Sequence, residues 1–132
     1  MPSIFTRIVN GEIPCYKIAE SEDFLAFLDI QPVAKGHTLV IPKKEIDYFF
    51  DLQDQYLADL MIFAKKVALG IEAAIPCERI GVSVVGLEVP HAHVHLMPIN
   101  SIGDMSFANT RKSYTREEFE AIAASIREKI NT

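Results

Sequence analysis

This chain has no stretch long and apolar enough to span a membrane, and Met1-Pro2-Ser3-Ile4 lacks both the basic opening and the apolar run of a secretory leader. Cys15 and Cys77 are its only cysteines, far apart and in no CxxC pair, so they read as free thiols of a reducing cytoplasm. Basic charge is short as well: 13 lysines and arginines against 18 carboxylates leave a net charge of −5. That balance argues against a general nucleic-acid binder, which would carry a basic surface. It leaves room for a small anionic ligand, because histidines and backbone amides can cluster around a phosphate inside an acidic protein. Glycine is sparse, and low-complexity tracts, internal repeats and linkers are missing. What remains is an ordinary globular composition, 49% hydrophobic and 23% charged. The expectation is one domain over residues 1–132 with a core of its own, cytoplasmic, and with neither nucleic acid nor membrane as a partner.

Histidine, in contrast, is concentrated in one place. Three of the four histidines alternate with small or apolar residues in Pro90-His91-Ala92-His93-Val94-His95-Leu96-Met97-Pro98. Such alternation is strand-like, which puts His91, His93 and His95 on one face and turns Ala92, Val94 and Leu96 to the core. On a regular strand neighbouring histidines lie about 7 Å apart and the outer two roughly 13 Å. All three cannot then bond one metal, whose nitrogen distances are about 2 Å. Two neighbours could, with help from elsewhere. Otherwise one imidazole does the chemistry and the others set its tautomer, charge and orientation.

The remaining pattern predicts an α+β domain around an antiparallel sheet. Ile4 to Val9 reads as a short helix or strand stopped by the turn dipeptide Asn10-Gly11. Strands are expected over Tyr16–Ala19, Phe24–Asp29, His37–Pro42, Arg79–Val85 and the histidine stretch, with Glu20-Ser21-Glu22-Asp23 as a hairpin turn and Pro32 and Gly36 bracketing a loop. Between Asp54 and Ala74 the period changes: Leu57, Leu60, Met61, Ala64, Val67, Ala68 and Ile71 form one helical stripe, ended by Pro76. Tyr48-Phe49-Phe50 is expected as core beneath that helix. Asn100 to Ser113 is polar and turn-rich. Thr115 and Glu118 fit a capping box that starts a terminal helix with Phe119, Ile122, Ile126 and Ile130 as its apolar stripe.

At His91-Ala92-His93-Val94-His95-Leu96-Met97 the chain resembles the histidine triad (HIT) family, whose signature is three histidines alternating with hydrophobic residues. Ile4-Phe5, Gly11-Glu12-Ile13-Pro14, Phe27-Leu28-Asp29-Ile30, Pro32 and Gly36 to Lys43 are similar to the family in order and spacing, so the resemblance runs from residue 3 to 99. It implies a HIT-like fold with a five-stranded antiparallel sheet, one long central helix and a C-terminal helix. It also implies a homodimer that hydrolyses or transfers nucleotidyl groups at the α-phosphorus of a purine nucleotide derivative, a phosphoramidate or a dinucleoside polyphosphate. By that resemblance His93 is the nucleophile that forms a covalent nucleotidyl-histidine, and the main-chain carbonyl of His91 holds its other ring nitrogen protonated. His95 contacts the phosphate or leaving group, and His37 pairs with His91. Asp29 accepts from the ribose hydroxyls, and Ile4, Phe5, Phe27 and Ile30 line the base pocket.

The chain departs from the family before the triad. Where many members carry Gly-Gln-Ser/Thr to bind phosphate oxygens, it has Gly86-Leu87-Glu88-Val89, and the loop is shorter. Counting strand alternation back from His91 puts Val89 on the histidine face and Glu88 on the other. Thr6 stands where some relatives carry a zinc-binding cysteine, with no matching cysteine pair, so neither structural zinc nor a cofactor is expected. Two other readings stay open: a non-catalytic nucleotide-binding module, and an HxH metal site completed by His37 or Asp29.

Overall fold

The computed structural model describes residues 1–130. A short helix α1 (Ile4–Val9) precedes three strands, β1 (Lys17–Glu20), β2 (Phe24–Leu28) and β3 (Thr38–Pro42). The long helix α2 (Asp54–Ala74) follows, then β4 (Arg79–Ser83), β5 (Val94–Ile99) and the terminal helix α3 (Arg116–Ile130). The five strands form one antiparallel sheet in the order β1-β2-β3-β5-β4. Among the described residues no helix is long and apolar enough to cross a membrane.

Every side chain of β2 is buried because the sheet is covered on both sides. Phe24, Ala26 and Leu28 join Val40, Val94 and Leu96 in the larger core, under Leu60, Ala64, Val67 and Ile71 of α2 and Ile122, Ala123 and Ile126 of α3. Leu25, Phe27, Leu39 and Ile41 point the other way and pack with Phe5 of α1. Both long helices follow their predicted stripes. The capping box of α3 is complete: Thr115 N–H donates to Glu118 Oε1 at 2.7 Å, and Glu118 N–H donates to Thr115 Oγ1 at 3.1 Å. Gly36 has φ +88°, a conformation strained for residues with a side chain, and a Cβ there would also press on the end of the Ile75 side chain, so glycine suits the turn that delivers His37.

Three expectations are corrected. The histidine strand starts only at Val94, because Pro90 offers no donor and His91 N–H turns back to the Val89 carbonyl at 2.8 Å. Strand β4 stops at Ser83, which faces His95, and Val84 and Val85 lie outside it. Tyr48 and Phe50 are exposed, and only Phe49 packs partly against the core.

Candidate active site

His95 lies on β5 opposite Leu39 and shares the α1 side of the sheet with it. His91 and His93 precede the strand, and all three triad histidines are buried. His93 Nδ1–H donates to the His91 carbonyl at 2.7 Å. A carbonyl can only accept, so this bond fixes a proton on Nδ1 and makes Nε2 the nitrogen that carries the lone pair whenever the ring has one. The His93 ring stands edge-on to Phe5, centroids 5.1 Å apart, and to His95 at 4.9 Å. Those packed rings restrict where that lone pair can point.

His91 is held by a second backbone anchor. Its Nε2–H donates to the Pro42 carbonyl at 2.8 Å, so Nδ1 is the acceptor and takes the hydroxyl proton of Ser3 at 2.8 Å. Ser3 is also the N-cap of α1, where its Oγ accepts from Thr6 N–H. Glu45 receives Ser3 N–H at 2.7 Å and the Thr6 hydroxyl at 2.6 Å. His91 thereby ties the start of α1, which supplies Ile4 and Phe5, to the carbonyl that orients His93.

His37 does not pair with His91. The antiparallel register sets Leu39 against His95 and carries Pro42, not residue 37, to the level of His91. Instead Val33 N–H donates to His37 Nδ1 at 3.0 Å, and His37 Nε2–H donates to His95 Nδ1 at 3.0 Å. This chain leaves His95 with its proton on Nε2, as a donor. Burial, with His95, Arg111 and His93 nearby, lowers the His37 pKa to about 3. Burial, then His93 and Arg111, lowers that of His95 to about 4. Both are neutral at physiological pH, so the 3.6 Å approach of Asp29 to His37 is not an ion pair there. Asp29 Oδ1 accepts from Gln31 N–H at 2.8 Å, and burial raises its carboxyl above the usual value.

Asp29, His37 and His95 bring potential ligand atoms within 4.8 Å of one another, which tests the metal reading. To give a cation a lone pair at Nε2, His37 would have to move its proton to Nδ1, where the Val33 amide already points its own hydrogen. The group therefore fits a hydrogen-bond relay better than a ligand set.

In front of the histidines lies a pocket of about 410 Å³. His93, His95 and Asp29 line it together with Ile4, Phe5, Phe27 and Ile30, while His37 and His91 stand behind the wall at zero exposure. Ile30 is 68% exposed and Ile4 about half so, apolar side chains left uncovered at the mouth. Glu88 also lines the pocket, as does Val89, correcting the alternation argument: residues 84–93 form no strand, so no alternation runs through them. Sequence reasoning missed Phe107, whose ring stands 4.7 Å from His95, and Arg111, which lies over Phe107. Both come from the polar stretch after β5, where no periodic signal marks them. Ser3 and Glu45 were missed too, though Ser3 before an apolar run is a legible N-cap.

Comparison with known proteins finds relatives in both sequence and structure. The model of the HIT domain matches residues 10–102. The adenosine 5′-monophosphoramidase hnt1 of Schizosaccharomyces pombe is 43% identical over 100 residues, covering 74% of each chain. Protein hit of Bacillus subtilis is 35% identical over 138 positions, covering 96% of this chain and 93% of its own. The crystal structure of a hypothetical histidine triad nucleotide-binding protein from Sulfolobus tokodaii is similar with a TM-score of 0.83 and 34% identity, over 97% of this chain and 91% of that one.

Proposed function

The chain belongs to the HIT domain family, and we propose on that premise that it is a nucleotidyl hydrolase or transferase working through a covalent nucleotidyl-histidine on His93. The observation that carries the reading is the bond from His93 Nδ1–H to the His91 carbonyl, which keeps the ring's proton on Nδ1 and so presents Nε2 as the nucleophile. In the first step Nε2 bonds the α-phosphorus of a nucleotide, and the bond from phosphorus to the leaving group breaks. The departing nitrogen or oxygen keeps the electron pair and takes its proton from solvent. His95, with a pKa of about 4, is neutral and serves as a hydrogen-bond donor to the developing charge. Water then bonds the phosphorus, the electron pair returns to Nε2, and a proton leaves to solvent.

The apolar part of the pocket, with Ile4, Phe5, Phe27 and Ile30, receives the base, and Asp29 accepts from the ribose hydroxyls. A purine is favoured because the related yeast enzyme is an adenosine phosphoramidase. Homodimer formation is supported by β4, an edge strand whose Val82 is 53% exposed, and by the uncovered Ile62 and Leu69 of α2. The free Cys15 and Cys77 suit a reducing cytoplasm. The test is AMP release from adenosine phosphoramidate and from diadenosine tetraphosphate, in buffer containing a chelator. Steady release from at least one of them is expected. Binding of AMP with no turnover of either would favour a non-catalytic nucleotide-binding module.

A further inference from the structure

Beside two residues of the pocket wall, Phe107 and Glu88, stands a cation that the catalytic reading does not use. Arg111 Nη1 donates to the Gln31 carbonyl at 2.7 Å, tying the segment after β5 to the loop that carries Asp29. The next residue repeats the tie, since Lys112 N–H donates to the Pro32 carbonyl at 2.8 Å. The guanidinium lies over the Phe107 ring at 5.8 Å, and Phe107 in turn stands against His95. Arg111 is thus held beside Phe107, the pocket residue that packs on His95. Its charge is felt there: it is among the causes that lower the pKa of His37 and His95, and it opposes the burial effect on Asp29.

Its partner is weak. Arg111 Nη2 is 4.0 Å from Glu88 Oε1, and the Glu88 side chain is 77% exposed, so the pair is solvent-screened and contributes little. A phosphate offers the planar guanidinium fork a closer, two-pronged contact than this carboxylate does. Glu88 lines the pocket together with His93 and His95, so this chain sets a carboxylate in that wall and an arginine beside it to offset its charge.

We propose that Arg111 is a leaving-group specificity residue, which binds a phosphate beyond the scissile bond and directs this protein to nucleoside polyphosphates in preference to phosphoramidates, with Glu88 as its displaceable counter-ion. This rests on the nucleotidyl-transfer reading above. When Nε2 of His93 bonds the α-phosphorus of such a substrate, the bond from that phosphorus to the bridging oxygen breaks. The oxygen departs with the electron pair on an already anionic phosphate, and the guanidinium offsets that charge. A neutral amine leaving a phosphoramidate gains nothing from it.

Calorimetric titration of the full chain with AMP and with ADP, without divalent cation, isolates the contact from catalysis. Wild type should bind ADP at least tenfold more tightly than AMP, the effect of about one charge-assisted hydrogen bond. Arg111→Gln should erase most of that preference, Arg111→Lys should keep part of it, and Glu88→Gln should raise ADP affinity, most at low salt. In turnover, Arg111→Gln should lower the ratio of kcat/KM for diadenosine tetraphosphate to that for adenosine phosphoramidate by about tenfold or more. Equal loss on both substrates, or an unchanged ADP preference in Arg111→Gln, would overturn the assignment. So would a preference for adenosine 5′-phosphosulfate over ADP, since it would mean sulfate is the group being read. Failure of the parent reading shows separately, as absence of a His93 adduct while the ADP preference stands.

Discussion

The two faces of the sheet differ in what they bury. Toward α2 and α3 the strands send Phe24, Ala26, Leu28, Val40, Val94 and Leu96, and the helices answer with aliphatic side chains. Toward α1 they send Leu25, Phe27, Leu39 and Ile41, a small apolar cluster, and beside it His95, with His91, His93 and His37 around it. Both faces exclude water, by different means. One relies on non-directional apolar burial, and the other must satisfy every imidazole nitrogen it takes out of solvent. Among the described residues no buried side-chain nitrogen or oxygen lacks a hydrogen-bond partner, so the polar face meets that demand. The consequence is functional: satisfying the histidines through the carbonyls of His91 and Pro42 and the amide of Val33 occupies both nitrogens of His91 and His37 and leaves Nε2 of His93 and of His95 as the ones free to act.

If that division holds, substitutions on the two faces should separate activity from stability. The largest expected effect is His93→Ala, which should cost about a thousandfold or more in kcat/KM, on the order of 4 kcal/mol of transition-state stabilisation, with the fold retained by circular dichroism. Leu60→Ala on the opposite face should do the reverse. Leu60, on the core-facing side of α2, is fully buried, so its truncation should cost about 2–5 kcal/mol by urea unfolding while the folded fraction keeps its turnover. A loss of turnover per folded molecule in Leu60→Ala would merge the two faces into one unit.

Acid should attack the histidine face first. His37 and His95 have folded values of about 3 and about 4, below the ordinary 6.5, so below about pH 6.5 the unfolded chain binds protons that the folded chain refuses. Their neutral-state stability is complete above about pH 6.5 and drains away as pH falls toward those lower values. Between about pH 6.5 and about pH 5 each should cost about 2 kcal/mol, read as a falling urea midpoint. A midpoint flat across that interval would mean the two imidazoles are not buried neutral. The smallest effects concern the two N-caps. Ser3→Ala and Thr115→Ala should each cost about 1 kcal/mol of stability. Of the two, only Ser3→Ala should also reduce turnover, since Ser3 donates to His91 and Thr115 bonds only within its own cap.

How much of this could be read in the sequence follows the same division. The apolar face announces itself locally: the stripe from Leu57 to Ile71, the capping box at Thr115 and Glu118, and the β-branched run closed by Pro42 all hold in the structure. The alternate histidines were legible as a site for the same reason, being adjacent in the chain. Where partners come from afar, local pattern failed. The family resemblance pairs His37 with His91, but the β3–β5 register, a pairing across nearly sixty residues, gives it to His95. The strand expected through His91 breaks at Pro90 because the chain turns there, with Ala92 N–H taken by the Ile46 carbonyl. Arg111 and Phe107 sit in a stretch with no period, and only the ties of Arg111 and Lys112 to Gln31 and Pro32 bring them to the pocket.

The central claim is that His93 Nε2 is the atom the fold has prepared to bond phosphorus. Rapid acid-free quenching of the wild-type protein with adenosine phosphoramidate, followed by intact-mass and peptide mass spectrometry, tests it most directly. The account predicts a transient species heavier by one adenylyl group, with the modification on the peptide carrying His93 and none in His93→Ala. Turnover of the same substrate by His93→Ala at the wild-type rate, or an adenylyl group found on another histidine, would contradict it.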